Sequence, residues 1–240
     1  TMDGQFLGAF ELPCKIPILY DNNESEIHSL DIYPGIKING IAATRDKYPF
    51  YEKFQIDTFL RRDASILLTP TTTYTEQADY FKYNIQGRFE NEEDSILVNR
   101  SSQLPNPVLQ NSVVYQGKQS LAINLDNDYS SFHIRTSDSL EFAGNPTLAE
   151  YIAFLELNFK TDIILKVGVV IINPPYETKK ELIKLHATND WKKTYLDLTP
   201  LILEGNSNSK FQIYFEGVRN DIIFEKSVYL DNLQLVFYKQ

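Results

Sequence analysis

One cysteine stands in 240 residues, so no intrachain disulfide can form. That residue, Cys14, lies between Pro13 and Lys15 and has no histidine neighbour to act as its base. It reads as a small buried apolar side chain rather than a nucleophile. Basic residues are also scarce: 23 Lys and Arg against 32 Asp and Glu give a formal net charge of -9. Basic residues do not cluster; Lys179-Lys180 and Lys192-Lys193 are only short pairs. A nucleic-acid backbone or an anionic membrane surface needs a basic footprint, so neither is an expected partner. Long apolar runs are missing too; the stretch Val167 to Ile172 is far short of a bilayer span. No signal-peptide pattern is present, and nothing resembling a lipobox surrounds Cys14. The opening Thr1-Met2-Asp3-Gly4-Gln5-Phe6-Leu7 reads as the middle of a hairpin, so a trimmed first strand is the expectation.

Catalytic patterns are equally thin. His28, His133 and His186 show no metal-ligand spacing, and there is neither a Gly-x-Ser-x-Gly elbow nor a Gly-rich phosphate loop. Two acids on one sheet face, for instance Glu156 with Glu216, would suit glycoside hydrolysis. That mechanism needs a fixed separation, and the sequence does not supply one. A glycoside hydrolase therefore ranks third among the functional readings, and the chain is expected not to be an enzyme.

What is present is strand chemistry. Fifteen tyrosines and fifteen phenylalanines accompany many β-branched residues. In Tyr151 to Phe159, the residues Tyr151, Ala153, Leu155, Leu157 and Phe159 share one face, with Glu156 and Asn158 on the other. Phe211, Ile213 and Phe215 alternate in the same way with Gln212, Tyr214 and Glu216. Further strands are expected at 163–172, 181–186, 193–198 and 229–237, with helical turns at 75–79 or 199–203. The polar stretch Thr69 to Gln77 marks a boundary. The expected fold is all-β: residues 1–77 form a small β-sandwich and 78–240 a double-sheet jelly roll. In the first part, Pro34-Gly35 and Asn39-Gly40 are turn dipeptides. Tyr48-Pro49-Phe50-Tyr51 offers three aromatics, better read as packing than as a binding patch.

Two carboxylates far apart in sequence carry the metal question. Gly87-Arg88-Phe89-Glu90 opens the second half, and Val228 to Val236, containing Asp231, closes it. First and last strands of a jelly roll can lie side by side, which would bring Glu90 to Asp231. Buried like charges repel unless a hard cation or backbone N–H groups answer them.

Two resemblances follow from these residues. Gly8-Ala9-Phe10-Glu11-Leu12-Pro13, Pro34 to Ile41, Ala43 to Tyr51 and the terminal Leu230-Asp231-Asn232 resemble an uncharacterised family of predicted bacterial surface lipoproteins. No activity is established for it. Its members carry a lipoprotein signal and a tethering cysteine that this chain does not show; the resemblance implies a bacterial cell-surface or outer-membrane location and a lipid anchor. The second half resembles galactose-binding-like jelly rolls, the fold of many carbohydrate-binding modules. It does so through Phe89-Glu90, Gly117-Lys118-Gln119-Ser120-Leu121, Trp191 and Leu230-Asp231-Asn232-Leu233. That likeness implies structural calcium on Glu90 and Asp231, completed by backbone carbonyls near Gly117 to Ser120. In place of the usual glycine after Phe-Glu, this chain has Asn91-Glu92-Glu93-Asp94.

The leading expectation is a non-catalytic surface protein whose jelly roll binds a neutral polysaccharide. Tyr214, Glu156, Asn158 and Gln212 would form the groove on an outward sheet face, with Tyr214 as aromatic platform. Tyr115, Tyr129, Phe132 and Tyr176 are further aromatic candidates. The alternative is a structural or assembly component of the cell surface acting through protein contacts.

Overall fold

The computed structural model describes residues 1–19, 25–76, 78–80, 89–91, 96–99, 101, 103–137, 139–141, 152–220 and 224–238. Gly87, Arg88, Glu92–Asp94, Tyr151 and part of the 75–79 turn fall outside the described residues. The chain divides into two compact units. The first holds Thr1–Ile36 and Asp46–Glu76, the second Lys37–Arg45 and Gln77–Gln240.

In the first unit, strands β1 (Ile27–Ile32) and β4 (Phe54–Phe59) run antiparallel, Ile27 opposite Phe59 and Ile32 opposite Phe54. Between them in sequence, β2 (Gly35–Lys37) and β3 (Arg45–Lys47) fall where the chain passes from one unit to the other. The first residues run along β1. Thr1 N donates to Asp31 O at 2.6 Å, and the Asp3 carboxylate accepts from Ser29 N at 2.8 Å. Tyr48 and Phe50 are buried, their rings edge-on at 5.4 Å, and Tyr51 lies 4.7 Å from Tyr48. The aromatic motif is thus packing inside this unit. Cys14 was expected to be buried; it is exposed, in a stretch that makes no strand.

The second unit is a sandwich of two antiparallel sheets. Its strands are β5 (Ala78–Tyr80), β6 (Leu97–Asn99), β7 (Val108–Gln110), β8 (Ser120–Leu125), β9 (Ser131–Thr136) and β10 (Leu140–Glu141). They continue as β11 (Ala153–Thr161), β12 (Leu165–Asn173), β13 (Tyr176–Leu185), β14 (Lys192–Asp197), β15 (Lys210–Val218) and β16 (Lys226–Tyr238). One sheet has the order β14-β11-β16-β8-β7, with β5 also beside β16; the other has β13-β12-β15-β9-β6, with β10 beside β15. First and last strands of the unit therefore share a sheet, as a jelly roll requires.

Alternation explains the core. Leu155, Leu157 and Phe159 of β11 and Leu230, Leu233 and Leu235 of β16 face Val167, Val169, Ile171, Ile213 and Phe215 of the other sheet. Each such side chain contributes about 1.5–3 kcal/mol by leaving water. The residues between them point outward, so each sheet has one outer face. A single helical turn, α1 (Thr199–Ile202), sits where the sequence placed one, with Pro200 near its start. The edge strand β13 carries Lys179, Lys180 and Lys184, charges that discourage edge-to-edge pairing. At the β14 edge of the other sheet, Asn39 caps the strand: its N–H donates to Tyr195 O at 2.8 Å, and its side-chain oxygen accepts from Asp197 N at 2.9 Å. Among the described residues no helix is long and apolar enough to cross a membrane.

Candidate functional site

Asp231 and Glu90 grip the same turn. Asp231 lies on β16 at a bulge: Asn158 pairs with Asp231, but Glu156 pairs with Gln234. Its Oδ2 accepts from the backbone N–H groups of Tyr115 (3.2 Å) and Gln116 (3.1 Å), and its Oδ1 from Asn232 N (2.8 Å). Two residues further along the turn, Lys118 N donates to both oxygens of Glu90 at 3.1 and 3.0 Å. Gly117 between them has φ +79, and any Cβ there would collide with the Glu90 carboxylate. Asp231 is fully buried. Burial raises its pKa, its three N–H bonds work against the rise, and the charge of Glu90 adds to it. The turn that both acids hold is thus the β7–β8 loop, which presents Tyr115.

Carboxylate oxygens are the kind of ligand a hard cation takes, but those of Asp231 and Glu90 accept here from backbone N–H groups. Among the described residues no group of three or more His, Cys, Asp and Glu side chains assembles, so backbone carbonyls would have to complete any such site.

Beside the clamp an aromatic strip crosses the outer face of the first sheet. Register aligns Val108 with Ala122, Ala122 with Tyr229, and Tyr229 with Lys160, and Trp191 stands just before β14. The Trp191 ring lies 5.8 Å from Tyr115 and 6.4 Å from Tyr229, tilted 58° and 54°. Tyr115 is 49% exposed, and the other two rings are half-buried. An amide row borders the rings. Asn232 Nδ2 donates to Gln116 Oε1 at 3.2 Å and to Asn158 Oδ1 at 3.4 Å. The Asn158 Nδ2, buried, has no hydrogen-bond partner among the described residues. Apolar ring faces next to fixed amides are what a pyranose offers contacts for: C–H faces against aromatics, hydroxyls against amides.

The groove expected from Tyr214, Glu156, Asn158 and Gln212 does not exist as one site. Tyr214 and Gln212 belong to β15 in the second sheet, Glu156 and Asn158 to β11 in the first. The two pairs occupy outer faces that look away from each other. For the same reason Glu156 and Glu216 do not face one another as a hydrolase pair. Nor is Tyr214 a platform, because its side chain is fully buried. Gly168 makes room for it: a Cβ there would meet the Tyr214 ring at 2.6 Å. His133 stacks on the ring at 5.6 Å, and Lys179 Nζ covers it at 5.1 Å from the centroid. Its hydroxyl has no hydrogen-bond partner among the described residues, and burial pushes its pKa up to about 12. Glu156, also buried, pairs with Lys193 at 2.9 Å. Of the loop aromatics, Tyr129 and Tyr176 are exposed away from this strip, and Phe132 is buried in the core. Sequence reasoning named Tyr115 and Trp191 without linking them. The signal that joins them is Asp231 together with Gly117, which fixes the turn before β8.

No family model matches the chain, and no curated protein matches it. Among solved structures it is similar to a family 61 carbohydrate-binding module in complex with β-1,4-galactotriose: 14% identity, TM-score 0.37, covering 60% of this chain and 87% of that one. It is also similar to a xylan-binding domain from family 22, at 12% identity and TM-score 0.43, covering 63% and 92%. A third is the family 30 module of a cellulosomal cellulase of Clostridium thermocellum, at 15% identity and TM-score 0.40, covering 58% and 90%. At these identities and scores the likeness carries no residue role and no ligand across to this chain.

Proposed function

We propose that the second unit is a non-catalytic module that binds a neutral polysaccharide on the Tyr115–Trp191–Tyr229 strip. The observation that carries this reading is the contact of the Trp191 ring with Tyr115 and Tyr229, with Tyr115 next to Gln116 on a turn pinned by two acids. The net charge of -9 favours a neutral polymer, since an acidic one would be repelled. Calcium at Glu90 and Asp231, with carbonyls of the Gly117–Ser120 turn, belongs to the same proposal. It would relieve the buried charge and hold Tyr115 in place. Location at the bacterial surface or outer membrane, with a lipid anchor, rests on the resemblance to the lipoprotein family.

Affinity electrophoresis in gels containing xylan, galactan, mannan or β-glucan tests the reading. Trp191→Ala should weaken retardation about five- to thirtyfold, as loss of a stacked aromatic costs on the order of 1–2 kcal/mol. Tyr129→Ala is the control. Wild-type protein retarded by none of the gels, or a folded Trp191→Ala protein retarded like wild type, defeats it.

A second reading, protein contact through the first unit, draws on its exposed apolar side chains, among them Phe6, Leu12, Leu19 and Leu67. Pull-down with the full chain and with a Leu19→Asp, Leu67→Asp protein separates the two readings. Loss of a partner without loss of gel retardation assigns the first unit to protein contact.

A further inference from the structure

We infer that the opposite face of the sandwich carries a second sugar site, one that holds a pair of adjacent hydroxyls between Arg135 and Glu177. It is separate from the aromatic strip and lies on the outer face of the second sheet. An open depression of about 410 Å³ there is lined by Arg135, Ser139, Ile172, Glu177 and Gln212. That volume is in the lower range of small-ligand sites and suits one or two sugar rings.

The chemistry of the lining selects the ligand. Arg135 Nη1 donates to Glu177 Oε2 at 2.7 Å. A guanidinium offers only donors and a carboxylate only acceptors. A hydroxyl does both, so two neighbouring hydroxyls can each accept from Arg135 and donate to Glu177. Arg135 is oriented from behind, its Nε–H donating to His133 Nε2 at 2.9 Å, which leaves the far edge of the guanidinium toward the depression. Gln212, 4% exposed, is fixed by donation from Nε2 to Thr136 O at 3.1 Å, and its Oε1 remains as an acceptor. Ile172 supplies an apolar surface for a C–H face.

Ion pairing argues for a neutral ligand. Arg135 is paired with Glu177, Lys166 and Lys179 both with Glu216, and Lys184 with Glu181, so none of these cations is left to hold an anion. Arg135 is largely covered, but Glu177 is half-exposed, so the carboxylate can swing toward solvent and let hydroxyls in between the two groups. With the aromatic strip on the first sheet, the chain would then bind glycan at both faces.

The test uses the full chain and methyl glycosides of glucose, galactose, mannose and xylose as probes, followed by amide-resolved NMR titration. At least one probe should shift the amide signals of Arg135, Ser139, Glu177 and Gln212. Glu177→Gln should weaken that probe about tenfold or more, and Trp191→Ala should leave it unchanged. Ser139→Trp, placed at the rim to fill the depression, serves if Glu177→Gln alters folding. A polysaccharide retained by wild type should be cross-linked and precipitated by it, but only retarded by either single-face variant. Titrations in which no probe moves these signals overturn the inference even if the aromatic strip binds polysaccharide. So does a folded Glu177→Gln or Ser139→Trp protein that binds the probes as wild type does. Weakened gel retardation in Trp191→Ala with these shifts intact separates the two sites.

Discussion

Replacing Gly117 by alanine probes the clamp from a residue that bears no functional group. Two costs arise. At φ +79 the alanine Cβ strains the backbone by about 1–2 kcal/mol. The same Cβ occupies the place of the Glu90 carboxylate, which must swing away and give up its bond from Lys118 N. A hydrogen bond to a charged acceptor contributes about 1.5–3 kcal/mol, and the partial exposure of Glu90 places it at the lower end. The sum is about 3 kcal/mol, and for a unit of this size Tm falls by roughly 6–12 °C. Differential scanning calorimetry reads the shift. In a Glu90→Ala background only the backbone cost remains, so the same change should lower Tm by about half as much. Equal losses in the two backgrounds, or a loss of under about 2 °C in the wild type, would refute the carboxylate contact.

Asp231 has a raised folded-state pKa, so its stabilising contribution is full below its ordinary value of 3.8 and is lost as pH rises through the folded value. Calcium should therefore raise Tm more at pH 7 than at pH 4, by about 5 °C or more at a hundredfold excess over Kd, and Asp231→Asn should abolish the rise. His133 titrates with the opposite sign. Burial, then Arg135 and Lys179, hold its pKa down against the pull of Glu216, so stability present above 6.5 is lost as pH falls below it; His133→Gln should flatten the Tm decline between pH 7 and pH 5. Tyr214→Phe removes a hydroxyl with no partner among the described residues and should be neutral or stabilising by up to about 1 kcal/mol in urea titration; a clear loss would mean that the hydroxyl is bonded.

Period-two patterning revealed the faces of β11 and β15 correctly, because Leu155, Leu157, Ile213 and Phe215 can satisfy only one inward side. It did not reveal that Tyr214 is covered. Alternation says which way a ring points; the cover comes from Lys179 two strands away and from room left by Gly168 on the strand between. Sheet membership was likewise hidden, since pairing of β11 with β14 and β16, and of β15 with β12 and β9, is decided by contacts distant in sequence. Glu156 and Glu216 could be placed on strands, but not on opposite faces. The aromatic strip draws on a loop, a strand start and a strand, and only the acids that pin the loop hint at it.

The segment Lys37–Arg45 leaves the first unit's sequence to complete the second, where Asn39 closes the edge of β14. The second unit is therefore not written in one uninterrupted stretch of chain. A fragment beginning after Glu76 would leave Tyr195 O and Asp197 N without their partners, along an edge free to pair with another molecule. Recombination that moved only the C-terminal stretch into another protein would transfer a sheet with an open side. In this architecture, inheritance of the sandwich with its β14 edge closed requires the chain from Lys37 onward, which carries Asp46–Glu76 of the first unit with it.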